Sequence, residues 1–139
     1  MSNPSDGEIT RLLRQYRHVA VVGLSDKPDR PSYGVAAYLQ RAGYTIVPVN
    51  PLIRESLGVS AVPSVPAAPP PVEIVDVFRR SEDVPDVVDD AIQAGAQVLW
   101  LQEGVVNEGA ATRARAAGLT VVQDRCMLKE HRRLLAGPA

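Results

Sequence analysis

The chain has 139 residues, a length that fits one domain able to bury its own apolar core. Fifteen Lys and Arg against sixteen Asp and Glu leave a formal charge of −1, which excludes a general electrostatic attraction to nucleic acid or to an anionic membrane. One cysteine, two histidines, no apolar run of spanning length and no basic-then-apolar leader exclude a disulfide framework and a multi-cysteine zinc site, and predict a soluble, cytoplasmic single domain over 1–139.

Within residues 1–17, Ser5 and Glu8 have capping-box spacing, and Ile9, Leu12, Leu13 and Tyr16 then share a face. A short amphipathic helix packed on a sheet follows from that pattern. Residues 18–24 form a continuous Val-rich run of the kind found in a parallel strand covered on both faces. Ser32 is placed to cap the next helix, which carries Val35, Ala36, Leu39 and Ala42 and stops at Gly43. A second strand, 45–49, runs into Asn50-Pro51, and Leu52 to Gly58 reads as one or two helical turns. From Pro63 to Pro71 five of nine residues are proline, which excludes regular helix and predicts an extended surface crossover in preference to a ligand for a proline-binding module.

The third strand is 73–78, followed by a helix marked by Val84, Val87, Val88, Ala91 and Ile92 and ended by Gly95. The fourth is 97–101, after which Asn107 caps an alanine-rich helix running to Ala117 and Gly118. The fifth is 119–122, and Met127, Leu128, His131, Leu134 and Leu135 then lie at helical spacing. Strands alternating with helices predict an α/β, Rossmann-like three-layer sandwich whose five-stranded parallel sheet has the order 3-2-1-4-5.

Ligands of such sheets sit beyond the carboxyl ends of the strands at the switch point, here between the first and fourth. That edge collects Gly23, Leu24, Ser25, Arg30 and Ser32; Asn50, Pro51 and Arg54; Phe78, Arg79 and Arg80; and Gln102, Glu103 and Gly104. Arginine forks, hydroxyls and the amides of a strand-to-helix turn suit phosphate, while Leu24, Pro51 and Phe78 suit a ring or an apolar arm. The second glycine of a dinucleotide fingerprint is missing after Gly23, and Asn50 stands where a NAD-binding chain has an acid for the ribose diol.

Catalytic machinery is not evident. The chain lacks both the Gly-x-Ser-x-Gly elbow and a Walker A run. His18 begins the first strand at the opposite end of the sheet, and His131 lies on the last helix. The acids Asp26, Asp29 and Glu103 have no nucleophile to serve. Cys126 follows Arg125 near the crevice and is either a reactive thiolate or, as the more common case, an inert buried thiol. No catalytic residue and no metal site are therefore expected.

The segments 21–35 (VVGLSDKPDRPSYGV), 47–51 (VPVNP), 75–79 (VDVFR), 99–105 (LWLQEGV) and 124–131 (DRCMLKEH) together resemble the small stand-alone CoA-binding proteins, themselves similar to the CoA-binding domain of the succinyl-CoA synthetase α subunit. The resemblance spans nearly the whole chain. It implies a domain that holds coenzyme A or an acyl-CoA, with the nucleotide at the first two strand-end turns and the pantetheine across strands three and four. The matching positions are Gly23, Leu24, Ser25, Arg30, Ser32, Asn50, Pro51, Phe78, Arg79, Gln102, Glu103 and Gly104. The 3′-phosphate of CoA would be repelled by an acid at the end of strand two, whereas Asn50 with Arg54 close by accepts it. A small-molecule nucleotide ligand and no catalysis are the expectation. The alternatives are an NADP-linked oxidoreductase, whose 2′-phosphate disfavours the same acid, an accessory subunit of an acyl-CoA ligase, and a redox sensor pairing Cys126 with the CoA thiol.

Overall fold

The structure is a computed structural model that describes residues 3–136; the ends of the expected 1–139 span lie outside the described residues. Helix α1 (Asp6–Gln15) starts where Ser5 Oγ accepts the Glu8 amide, and it buries Ile9, Leu12 and Leu13. Then come β1 (His18–Val22), α2 (Pro31–Arg41), β2 (Thr45–Val49) and a small hairpin of β3 (Glu55–Ser56) and β4 (Val59–Ser60). The second half comprises β5 (Ile74–Val77), α3 (Val84–Gln93), β6 (Val98–Leu101), α4 (Glu108–Ala116), β7 (Thr120–Val122) and α5 (Met127–His131), which runs on into a π-helical turn over Arg132–Ala136.

The main sheet is parallel throughout, in the order β2-β1-β5-β6-β7, and places Val21 beside both Pro48 and Asp76, and Asp76 beside Trp100. Outside β2 the chain adds one parallel bridge, Val49 to Val62, in which the Asn50 amide donates to the Val62 carbonyl and the Val62 amide to the Pro48 carbonyl, both at 2.9 Å. With that bridge counted as the third member, the series reads 3-2-1-4-5-6, which contains the expected 3-2-1-4-5 pattern. Segment 73–78 is its fourth member, beside β1, and not its third beyond β2. The reason is that residues 55–60 are consumed by the hairpin, which leaves only Val62 to reach the edge. Pro48 suits this place, because its carbonyl faces outward and its missing amide falls on the side where little pairing occurs.

Successive strand residues feed opposite layers, which explains the unbroken apolar runs. Ala20, Val22, Val75, Val77, Leu99 and Leu101 pack towards α3 and α4, whereas Val19, Val21, Ile74, Val98 and Trp100 pack towards α1, α2 and α5. Asp76 alone breaks the run of β5.

Three further local expectations are corrected. Leu52 to Gly58 is not helical: Leu57 (φ 55°) and Gly58 (φ 76°) form the two-residue turn of the β3–β4 hairpin, the positive-φ pair that matches strand twist. Ser32 is not the cap of α2: Arg30 holds the extended cap position, Pro31 pre-sets the first helical φ, and Ser32 lies a residue inside, buried. The proline-rich crossover is not extended throughout, since Val65–Ala67 make a 3-10 turn that buries Val65 and Ala68 against the sheet.

Candidate functional site

The ends of β1 and β5 meet at the switch point. Gly23 has φ +86°, its amide donates to Val49 O at 2.9 Å, and a Cβ there would stand 2.2 Å from the Phe78 carbonyl oxygen. No side chain fits. The Phe78 amide in turn donates to Val22 O at 2.8 Å, so the two strand ends are locked together at the centre of the carboxyl edge.

Around this seam the β1 and β2 turns are tied to each other. The Ser25 amide donates to Ser32 Oγ (3.0 Å), Ser25 Oγ accepts the Lys27 amide (3.0 Å), and Ser25 O accepts from Ser56 Oγ (2.8 Å). Asn50 donates through Nδ2 to Leu24 O (3.1 Å) and accepts the Leu52 amide at Oδ1 (2.9 Å). An aspartate could make the second bond and not the first, so the carboxamide has a reason to be here that is independent of any ligand. Leu24 is fully buried in the core, which leaves its side chain no exposed face to offer a ligand ring. Pro51 and Leu52 are exposed beside the turn, with Leu52 87% accessible. Arg30 is exposed at the start of α2, and Arg54 lines a shallow recess with Glu55 and Ser60.

The opposite bank is a cleft of about 550 Å³ lined by Phe78, Arg79, Arg80, Asp83 and Val105. Arg80 is held by Asp83 (Nε to Oδ2, 3.1 Å), and Asp83 and Glu82 together favour its charged form. Glu103 is engaged by Lys129 of α5 at 2.9 Å. Gly104, at φ +84°, donates its amide to Asp124 Oδ1 at 2.7 Å. Gln102 departs from expectation: its side chain is buried and donates through Nε2 to Asp76 Oδ1 at 2.5 Å, so its carboxamide serves the interior and its main chain forms the turn.

The structure thus brings Gly23, Ser25, Ser32, Asn50 and Phe78 to one seam, with Arg79 and Gly104 on the second bank and Arg30, Pro51 and Arg54 on the outer rim. Asp76, Ser56 and Asp124 were not anticipated. Of these, only Asp76 left a signal, as an acid inside an otherwise apolar strand. It is fully buried, Oδ2 has no partner, and burial pushes its carboxyl up to about 7 against the opposing hydrogen bonds of Gln102 and the Val77 amide.

A separate apolar cavity of about 390 Å³ lies at the other end of the sheet, lined by residues including His18, Ala20, Val47, Val72 and Pro69. It contains no arginine and none of the turn serines. His18 there contacts Glu73 (3.0 Å), and His131 bonds the Tyr38 hydroxyl (2.8 Å), both away from the seam. Cys126 is buried at the cap position of α5. Among the described residues no helix is long and apolar enough to cross a membrane, and no group of three or more His, Cys, Asp or Glu could hold a metal ion.

Residues 17–132 match a family profile described as a CoA binding domain. The chain belongs to this CoA-binding domain family. It is 47% identical over 131 residues to YneT of Bacillus subtilis (strain 168), a protein described as uncharacterized, with 94% of this chain and 97% of that one covered. Among solved structures, a hypothetical protein from Pyrococcus horikoshii OT3 is 41% identical with a TM-score of 0.92, covering 95% of this chain and 93% of that one. A dinucleotide-forming acetyl-coenzyme A synthetase 1 from Ca. Korarchaeum cryptofilum, in complex with phosphate and ADP, is 26% identical with a TM-score of 0.70, covering 81% of this chain and 27% of that one. The CoA-binding domain described here therefore matches one portion of a larger synthetase and nearly the whole of smaller proteins.

Proposed function

We propose that this domain binds coenzyme A or an acyl-CoA at the carboxyl edge of its sheet and performs no chemistry on it. The observation that carries the reading is the Gly23–Phe78 seam, where two strand ends meet too closely for any side chain and three arginines, Arg30, Arg54 and Arg79, stand on the turns and cleft around it. In this reading Ser25, Arg30 and Ser32 serve the diphosphate, Asn50, Pro51 and Arg54 surround the adenosine 3′-phosphate end, and Phe78, Arg79 and Gly104 flank the pantetheine. Gln102 and Leu24 contribute through backbone, and Glu103 braces the bank through Lys129. The cleft beside Phe78 is lined by arginine, aspartate and apolar groups, which suits holding a ligand better than attacking one. A cytoplasmic setting, where CoA is handled, fits the same reading.

Calorimetric titration with CoA, dephospho-CoA and NADPH at one salt concentration tests it. CoA should bind more tightly than dephospho-CoA, and Arg30→Ala should weaken binding without unfolding the domain. NADPH binding with no response to CoA would overturn the assignment in favour of an NADP-linked enzyme.

A further inference from the structure

Asp76 occupies the middle of the β5 run, level with Val21 of β1 and Trp100 of β6, on the face covered by α1, α2 and α5. A buried carboxylate is costly unless it is satisfied, and Oδ2 of this one has no partner. Its fold-side neighbours supply no compensating charge: the influences on it are burial, the Gln102 carboxamide and the Val77 amide. The titratable groups of the same packed layer and of α5 over it include Cys126, Tyr16, Tyr38, Tyr44, Glu130 and His131, none of which is hydrogen-bonded to it. An apolar residue of similar volume would serve the core at least as well. The side-chain bond that distinguishes the aspartate reaches Gln102, the first residue past β6, whose carbonyl accepts the Val105 amide and so closes the turn Gln102–Val105.

We propose that Asp76 is a positioning residue which, through Gln102, clamps the Gln102–Val105 turn to the end of β5 and fixes the bank of the crevice along which a pantetheine arm lies. The role rests on the coenzyme reading above. Val105 lines the cleft beside Phe78, and Gly104 is held from the far side by Asp124, so loss of the inner clamp leaves the Gln102 end of the turn tied to β5 only by its own amide on the Val77 carbonyl (3.3 Å) while the other end stays attached.

The test compares wild type with Asp76→Leu, Asp76→Asn and Gln102→Leu, using CoA and adenosine 3′,5′-bisphosphate as calorimetric ligands together with thermal melts and amide hydrogen exchange. Asp76→Leu and Gln102→Leu should each lose about tenfold in CoA affinity, the scale of one buried hydrogen bond. Asp76→Asn, which keeps an acceptor for Gln102, should restore it. Affinity for adenosine 3′,5′-bisphosphate, which lacks the arm, should stay within a factor of two, and melting temperature should not fall with the loss of CoA binding. Wild-type affinity in both leucine variants, or parallel losses for both ligands that Asp76→Asn fails to rescue, would overturn the proposal. Should the wild type bind no CoA, the coenzyme reading fails by itself, and exchange still decides the clamp: amides 102–105 must exchange faster in Asp76→Leu than in Asp76→Asn, and equal rates refute it.

Discussion

At the scale of single residues, Gly23 has the least freedom. Its positive φ disfavours any L side chain, and the Phe78 carbonyl occupies the place a Cβ would take, so Gly23→Ala combines backbone strain with a main-chain clash. Strain and overpacking together predict a loss of about 3 kcal/mol in urea unfolding. A loss of less than about 1 kcal/mol would mean that the seam can open. Gly23 was legible in the sequence because a glycine ending an apolar run has few other uses. Gln102 and Leu24 were not, since their position at a strand end was readable while the direction of their side chains depends on partners 26 residues away or on the packing of α2. At Asn50 the sequence shows the absence of an acid, whereas the employment of the carboxamide, donating to one turn and accepting from another, depends on a loop that the sequence did not place.

At the scale of elements, two helix starts illustrate how much a cap can carry. Ser5 accepts only from its own first turn, whereas Asn107 accepts the Ala110 amide at Oδ1, donates through Nδ2 to Ser81 O, and donates its own amide to Gln123 Oε1. Ser5→Ala should cost about 1 kcal/mol, and Asn107→Ala about 2 kcal/mol because a bond between elements is lost with the cap. Denaturant titrations that gave the two variants equal stability would show the Ser81 bond to be worthless. Both caps were readable, as were the helix stops at Gly43, Gly95 and Gly118, because their determinants are local. The β3–β4 hairpin was not, for its strands are two residues long and show no alternation, and its turn uses Leu57 at a φ that leucine rarely adopts. The place of segment 73–78 was hidden for a related reason: a neighbour reduced to one bridge leaves no strand-like run to count.

At the scale of the whole molecule, the buried acid of β5 makes stability depend on pH in a direction opposite to that of most carboxylates. An Asp76 carboxyl that titrates near 3.8 when unfolded and near 7 when folded is protonated in both states only well below 3.8, and stability is then whole. As pH rises towards 7 the unfolded chain releases its proton while the folded chain keeps it, so stability falls, levelling off above 7. His131, whose charged form is disfavoured by burial, acts the other way over part of this range, while Asp6 and Glu73, held below their ordinary values, have their effect on the acid side. The difference between wild type and Asp76→Asn removes these common contributions. Between pH 5 and pH 8 wild type should lose about 3 kcal/mol relative to the variant in urea titrations. A difference independent of pH would place the Asp76 titration elsewhere.

The stitching of the strand-end loops also bears on how fast this domain takes up a ligand. One bank is sewn from Ser25, Ser32, Asn50 and Ser56, the other from Asp76, Gln102, Gly104 with Asp124, and Glu103 with Lys129, and the Gly23–Phe78 seam joins them. In the proposed coenzyme site both sides of the cleft are already set before anything arrives, so a guest there would find little that must freeze on its account, and conformational entropy would take a small share of the association free energy. Capture is then governed by encounter and by the fields of the rim arginines, so rising ionic strength should act on arrival sooner than on departure.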